Sequence, residues 1–151
     1  MALTNKSNIY SSSLISISYS VADNFPTVWK MMPDRAADAL EKAAKMGIDA
    51  AFPVTPYKDN DTRTTQHLRD STFTQVYRNG ARGGTLYLQW RAQNPTNGFH
   101  YGTVQEFTQF ENYSTPGTGP GFMEKAWSTI EQVVPELLEQ EIQNLIAENA
   151  I

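Results

Sequence analysis

Apolar residues alternate with serine near the start of the chain. Ile15, Ile17, Tyr19 and Val21 are each separated by a single serine, and this period of two predicts a half-buried strand. The same pattern also suits an extended arm, spanning residues 1–24, that becomes ordered only against a neighbouring molecule. The sequence leaves both interpretations open.

The pattern then changes to a helical period. Pro33 suits the first position of a helix, and Pro53 makes continuation beyond Phe52 unfavourable because proline has no amide hydrogen and clashes with the preceding turn. Between them, small apolar residues recur on one face at Ala36, Ala37, Leu40, Ala43 and Ala44. We therefore predict a helix from Pro33 to Phe52 that lies close against a sheet.

Two strands joined by a tight turn are predicted next. Thr72 to Arg78 is rich in threonine and aromatic residues, and Thr85 to Arg91 alternates apolar and polar positions. The link between them contains Asn79-Gly80 and Gly83-Gly84, and both pairs are hairpin signals. The segment from Phe99 to Phe107 is interpreted as a third strand of the same antiparallel sheet.

The last element is predicted to be a long helix. Its apolar residues recur at steps of three, four or seven positions, at Trp127, Val134, Leu138, Ile142 and Leu145. Pro135 must kink this helix or start a second one. Two polar segments, residues 53–71 and 108–121, are predicted to be long loops.

These elements predict a single α+β domain over residues 1–151. In this fold, an N-terminal helix and a long C-terminal helix, kinked at Pro135, pack on a small antiparallel sheet built around a β-hairpin. The chain has no cysteine, which excludes a disulfide framework, thiolate metal sites and cysteine nucleophiles. It also lacks an apolar run of about 18 residues and the basic start of a signal peptide, so we expect a soluble, non-exported protein.

Charge is distributed unevenly. Residues 92–151 contain a single base, Lys125, against eight glutamates at positions 106, 111, 124, 131, 136, 139, 141 and 148. Six bases lie in the preceding stretch of residues 58–91, at Lys58, Arg63, Arg69, Arg78, Arg82 and Arg91. The net charge of −4 argues against a dedicated DNA-binding domain, which is usually basic. One basic region and one acidic end favour head-to-tail stacking with other proteins, although an ordinary solvated surface gives the same pattern.

Candidate chemistry is sparse. Asp59, Asp61 and His67 lie close together in sequence, as in a metal-dependent hydrolase. The segment lacks the glycine and distal glutamate of a calcium loop and offers too few ligands for zinc. We therefore favour solvated loop residues there, and a packed or hydrogen-bonded strand residue at His100. The segment from Gly117 to Gly121 lacks the lysine of a phosphate-binding loop and is interpreted as a structural turn. No catalytic residue, metal or cofactor is predicted.

Aromatic residues on the predicted hairpin suggest one alternative function. Tyr77, Tyr87 and Trp90 could form a platform on which bases stack, with Arg78 and Arg91 contacting phosphates. This alternative is a small module that binds single-stranded nucleic acid. Core aromatic residues and solvated arginines explain the same pattern more simply.

The order of motifs from about Thr55 to Trp127 resembles the tail-completion, or neck, proteins of long-tailed bacteriophages, which are also called minor capsid proteins. The motifs are Thr55-Pro56-Tyr57-Lys58, Leu68-Arg69-Asp70-Ser71, Tyr101-Gly102 with Gln105-Glu106, the Pro/Gly loop from Asn112 to Gly117, and Phe122 to Trp127 before the last helix. Each motif is short, and the resemblance is carried by their order and spacing.

The resemblance implies a structural, non-enzymatic role in the virion, with assembly in the host cytoplasm. It implies a ring of copies, with six expected, between head-closure or connector proteins on one side and tail terminator or tail-tube proteins on the other. DNA passes through the channel of such a ring without specific binding, and no membrane is involved. The two long loops are expected to contact neighbouring subunits or partners through Tyr57, Lys58, Arg63, Leu68, Arg69, Asn112, Tyr113, Pro116 and Gly117.

The acidic C-terminal part leads to a related expectation. An acidic channel wall repels the phosphate backbone of DNA and lets it slide. We therefore expect the glutamates of residues 106–148 to be available for the channel or for basic partner surfaces.

Overall fold

A computed structural model describes residues 26–56, 68–80, 83–111, 113 and 116–149. The predicted strand at residues 15–21 and most of the loop at 53–71 lie outside these ranges. The first helix, α1, spans Pro26–Ala51, so the predicted start at Pro33 is wrong. Pro26 takes the initial position that proline favours, and Pro33 lies within the helix. The predicted end is confirmed, because a short 3-10 turn, Phe52–Val54, follows α1 and contains Pro53.

The predicted hairpin is confirmed. Strands β1 (Thr72–Arg78) and β2 (Gly84–Trp90) pair antiparallel, with Thr72 opposite Trp90 and Arg78 opposite Gly84. At the turn, the Asn79 amide donates to the carbonyl oxygen of Gly83 at 2.7 Å. Gly83 has a φ of +82°, a left-handed conformation that glycine adopts without strain.

The predicted third strand is wrong. A short helix, α2, spans Tyr101–Phe107, and only an isolated bridge between Gln93 and His100 extends the strand pairing there. The buried residues of α2 are Gly102 and Glu106, four positions apart on one helical face. A Cβ atom at Gly102 would lie 3.4 Å from the Cβ of Trp90, so glycine lets α2 approach the end of β2 closely.

The last helix, α3, spans Phe122–Glu148 and continues through Pro135 as one element, so no second helix starts there. It packs antiparallel against α1: Met32 clusters with Leu145 near one end, and Gly47 lies against Ala126 and Ile130 near the other. A buried carboxylate, Glu141, binds both Arg35 and Lys42 across this contact.

The core lies between the hairpin and the two long helices, as the α+β prediction requires. Its main cluster joins the alanine-rich face of α1, Leu86 of β2 and one face of α3, with Ile130 and Val134 almost fully buried. A second cluster joins Ala51, Leu68, Trp90 and Phe122 at the open end of the hairpin. In the described ranges, no helix combines the length and apolar composition needed to cross a membrane.

Candidate interaction surface

The structure describes five of the nine residues predicted to contact partners. Tyr57, Lys58, Arg63 and Asn112 lie outside the described residues. The other five are Leu68, Arg69, Tyr113, Pro116 and Gly117. They come from the two predicted loops, which contact the 3-10 turn Phe52–Val54 at the end of α1 through Leu68, Arg69 and Gly119.

The first loop returns to the body of the protein at a second 3-10 turn, Leu68–Asp70. Ser71 closes this turn, because its amide and its hydroxyl both donate to the carbonyl oxygen of Leu68. Leu68 is only 7% exposed and packs in the second core cluster, so the prediction that it contacts a partner is corrected. Arg69 is half-buried, and its guanidinium carbon lies 4.7 Å from the ring centroid of Phe52.

The second loop is tied to the same turn. The Gly119 amide donates to the carbonyl oxygen of Val54 at 3.1 Å. The Tyr113 ring lies 3.9 Å from the position of a Cβ at Gly119, and its hydroxyl donates to Thr108 and accepts from the Phe110 amide. The rings of Phe110 and Tyr113 meet edge to face, with centroids 5.9 Å apart. These contacts fix the loop against the end of α1.

Two segments that meet at the end of α1, the turn Phe52–Val54 and the second loop, therefore carry exposed aromatic groups, and the turn Leu68–Asp70 adds an arginine. Phe52 is 43% exposed and Phe110 is 37% exposed, and Pro116 and Gly117 at the tip of the second loop are also exposed. We call this the loop surface, formed by Phe52, Arg69, Phe110, Tyr113, Pro116 and Gly117. Sequence reasoning missed Phe52 and Phe110, although large apolar residues within polar, proline-containing segments are a signal for such a surface.

Glu106 holds the base of the second loop. Its carboxylate accepts hydrogen bonds from the amides of Met123 (2.9 Å) and Glu124 (3.0 Å), in the first turn of α3. Its backbone carbonyl also accepts from the Gly121 amide. Gly121 has a φ of +87° and offers no side chain to cap α3, so a residue from α2 performs that role. Sequence reasoning did not identify this function of Glu106.

The ionisation of Glu106 should be visible in the stability of the protein. Burial raises the pKa of Glu106 above its ordinary value of 4.5, and the amides of Met123 and Glu124 oppose this rise. The folded state therefore binds more protons than the unfolded state between the two pKa values. Stability is accordingly lost as pH rises from about 4.5 through the folded-state pKa.

We expect Glu106→Gln to remove this pH dependence. The free energy of unfolding of the wild type, minus that of the variant, should fall with rising pH by about 1.4 kcal/mol for each pH unit between the two pKa values. Urea unfolding between about pH 4 and pH 8 measures it. Glu131→Gln, an exposed change in α3, is the matched control and should follow the wild type. Parallel pH curves for the wild type and Glu106→Gln would contradict the prediction.

The eight C-terminal glutamates do not form one available group. Glu106 and Glu141 are buried and bind groups inside the protein, and Glu148 pairs with Arg35. Glu106 and Glu141 are therefore not free for a channel wall or a partner, which corrects the expectation for these two. The exposed members are Glu111, Glu124, Glu131, Glu136, Glu139 and Glu148.

The structure separates the aromatic residues that suggested nucleic-acid binding. Trp90 is 7% exposed and packs edge to face on Phe122, so it cannot stack on a base. Tyr77 and Tyr87 are exposed on the opposite face of the hairpin. Their rings meet edge to face, with centroids 5.1 Å apart. Arg78 binds three carboxylates on α1, those of Asp34, Asp38 and Glu41. These bonds, that to Asp38 above all, raise the pKa of Arg78. The predicted platform thus loses its tryptophan, and one of its two arginines is already bound to carboxylates.

The other chemical candidates are limited. Asp59, Asp61 and His67 lie outside the described residues. Within the described ranges, no group of three or more His, Asp or Glu side chains is arranged to hold a metal ion. His100 is exposed and precedes α2, so the prediction of a packed strand residue is wrong there, and its backbone takes part in the isolated bridge with Gln93. The Gly117–Gly121 segment forms the turn that leads into α3, as predicted.

Comparison of the chain with protein-family models, with curated proteins and with solved structures gave no match. The resemblance to phage neck proteins therefore rests on the sequence motifs alone.

Proposed function

We propose that this protein is a structural component of tailed-bacteriophage virions and acts in the neck as a ring-forming assembly adaptor at head–tail joining or tail completion. Its copies form the ring, with connector or head-closure proteins on one side and tail terminator or tail-tube proteins on the other. DNA passes through the channel without specific binding. The loop surface contacts the neighbouring copy.

The loop surface is the observation that carries this proposal. Aromatic residues and arginine are enriched at the cores of protein interfaces. On the loop surface Arg69 contacts Phe52, and Phe110 contacts Tyr113. Hydrogen bonds from Gly119 and Tyr113 fix the second loop before any partner binds. A surface that is already ordered loses less conformational entropy on association. This favours an adaptor that binds by shape.

The position of the family-like motifs gives further support. Leu68-Arg69-Asp70-Ser71 forms the turn that leads into β1, and Phe122 begins α3 in the second core cluster. The motifs therefore bring the two predicted contact loops to the same end of α1. A family whose members dock in the same way is expected to share the residues that position its contact loops, and these motifs have that role here.

The proposal is tested in a phage that carries this gene and depends on a plasmid copy of it. We expect loss of the protein to give filled heads without attached tails. The double variant Phe52→Ala/Phe110→Ala should lower the copies of this protein per purified particle by about tenfold or more, since interface aromatic residues each contribute about 1–2 kcal/mol or more. Electron microscopy and quantitative mass spectrometry of purified particles provide the readouts.

A matched control comes from the solvent-exposed side of α1. Met31 and Met46 are 38% and 44% exposed, close to the values for Phe110 and Phe52. Met31→Ala/Met46→Ala should assemble normally. Thermal unfolding of both double variants checks that each is folded. Complete infectious particles without the protein would overturn the proposal, and so would equal incorporation of the two double variants.

A further inference from the structure

β1 has an outer edge whose backbone groups point away from β2. In an antiparallel pair, residues that exchange hydrogen bonds alternate with residues whose N–H and C=O groups face outward. Arg91 donates to the carbonyl of Ser71 at one end, and Asn79 donates to the carbonyl of Gly83 at the other. The backbone N–H and C=O groups of the odd-numbered residues of β1 therefore point toward β2. The outward-facing backbone groups belong to Thr72, Thr74, Val76 and Arg78.

This edge has the features of a pairing surface. Across the residues that the structure describes, the sheet contains only β1 and β2, and no other backbone group bonds to the outer edge of β1. Thr72, Thr74 and Val76 are β-branched, which favours strand pairing. The edge carries neither a proline nor a bulge, two of the devices that block pairing with another chain, and the charge of Arg78 is paired with carboxylates on α1.

We infer that the partner of this edge is a second copy of the chain, with the two β1 strands running antiparallel about a two-fold axis at Gln75. This register satisfies the outward-facing groups, because Thr74 then exchanges hydrogen bonds with Val76 of the other copy. All seven residues of β1 are paired, and Phe73 lies opposite Tyr77 of the second copy. The result is a continuous four-stranded sheet.

The exposed face of the hairpin favours this register. The guanidinium carbon of Arg91 lies 3.3 Å from the ring centroid of Phe73, and the ring of Tyr77 contacts that of Tyr87. Pairing Phe73 with Tyr77 of the other copy joins these two contacts into one row across the interface. Aromatic pairs opposite each other on neighbouring strands stabilise a sheet. A shift of two residues would pair each aromatic residue with a glutamine or a loop residue.

The helices below the sheet also fit a second copy. Neighbouring strands lie about 4.8 Å apart, so the midlines of the two hairpins, and the α1 helices packed beneath them, are separated by about 10 Å. That is a normal distance between packed helices. The flank of α1 beside this edge carries Asp34, Asp38 and Glu41 bound to Arg78, with Lys45 one turn further on. Antiparallel flanks bring Glu41 toward Lys45 of the other copy.

The contact is small and closes on itself. A strand of seven residues spans about 23 Å, and a strand edge alone falls short of the roughly 800 Å² that each partner buries in a standard interface. A weak dimer is therefore expected. An isologous contact makes a dimer and not a ring, so it is distinct from the loop surface, and its test does not depend on the proposed role in the virion.

Cysteine cross-linking tests the register directly. The chain has no cysteine, and residue 75 lies on the two-fold axis in a non-hydrogen-bonded pair, where the Cα atoms are about 4.5 Å apart, within disulfide range. We expect Gln75→Cys to form disulfide-linked dimers at least about tenfold faster than Gln89→Cys. Gln89 is the matched control, since both glutamines are exposed on the same face and each accepts one side-chain hydrogen bond.

A proline variant tests the same edge without cysteine. Thr74→Pro removes an outward amide and leaves the hydrogen bonds to β2 in place, so sedimentation velocity should show loss of the dimer. Thr74→Val keeps the amide and should dimerise like the wild type. Equal cross-linking rates for the two cysteine variants would overturn the inference, as would a wild type that stays monomeric at high concentration. Slow hydrogen exchange at Thr74 and Val76 in such a monomer would identify a segment of the same chain as the occupant.

Discussion

Phe122→Ala is expected to lower the free energy of unfolding by about 3–5 kcal/mol. Phe122 has no exposed surface, begins α3 and packs edge to face on Trp90, with ring centroids 5.3 Å apart. Around it lie Ala51, Leu68 and other members of the second core cluster. Alanine would leave a cavity where α1, β2 and α3 meet, and three separate elements cannot all move to fill it.

Urea unfolding followed by circular dichroism measures this loss. The matched control is Phe110→Ala, since Phe110 also makes an edge-to-face aromatic contact but is 37% exposed on the loop surface. We expect that control to cost less than about 1 kcal/mol. Similar losses for the two phenylalanine variants would show that the second cluster does not stabilise the fold as described.

Gly47→Leu is expected to destabilise the protein by about 3 kcal/mol or more. A Cβ atom at Gly47 would lie 2.7 Å from the carbonyl oxygen of Ala126 and 2.7 Å from Cγ1 of Ile130. The first of these is a backbone atom, so relief requires that α1 and α3 move apart. Leucine is better than glycine within a helix by about 1 kcal/mol, so any net loss must come from the contact between the helices.

Lys45→Leu supplies the control for Gly47→Leu, because it adds a leucine to the same helix at an exposed position. It should leave the midpoint of urea unfolding nearly unchanged, with a difference of about 0.5 kcal/mol or less. Gly47→Ala should give an intermediate loss. If Gly47→Leu unfolded at the wild-type midpoint, the close approach of α1 and α3 would be incorrect.

The hairpin and the two long helices could be predicted because their signals are local. The Asn-Gly and Gly-Gly pairs and the threonine- and aromatic-rich strands fixed β1 and β2 within one residue. The apolar period and Pro53 gave the end of α1 in the same way. Its start was misplaced because two prolines, Pro26 and Pro33, both suit a first helical position, and the local rule does not choose between them.

The region from Phe99 to Phe107 shows where local signals fail. Its mixture of aromatic, β-branched and polar residues is compatible with a strand. It forms α2 because Gly102 permits contact with β2 and Glu106 binds the first turn of α3, which lies 17 residues further along the chain. No periodicity within seven residues can report a contact of that kind.

The candidate site was predicted in part. The sequence identified the two loops, and in the structure Arg69 contacts the end of α1 directly and Tyr113 packs beside Gly119, which is bonded to Val54 there. It did not separate Leu68, whose side chain is buried, from Arg69, whose side chain reaches the surface, because neighbouring residues in a 3-10 turn point in different directions. The sequence also did not predict that β1 has an unpaired outer edge. Whether a strand has a neighbour depends on the arrangement of the whole sheet, which in the described residues contains β1 and β2.

The way in which Glu106 joins α2 to α3 bears on how this protein can change during evolution. Glu106 holds the end of the second loop, and Gly119 and Tyr113 hold further points of it, so freedom to change the length of the chain is greatest near the exposed Gly117. Doubling the length of a flexible loop costs only about 0.6 kcal/mol in closure entropy. Insertions near Gly117 are thus tolerable to the scaffold, because they leave these contacts and the core in place.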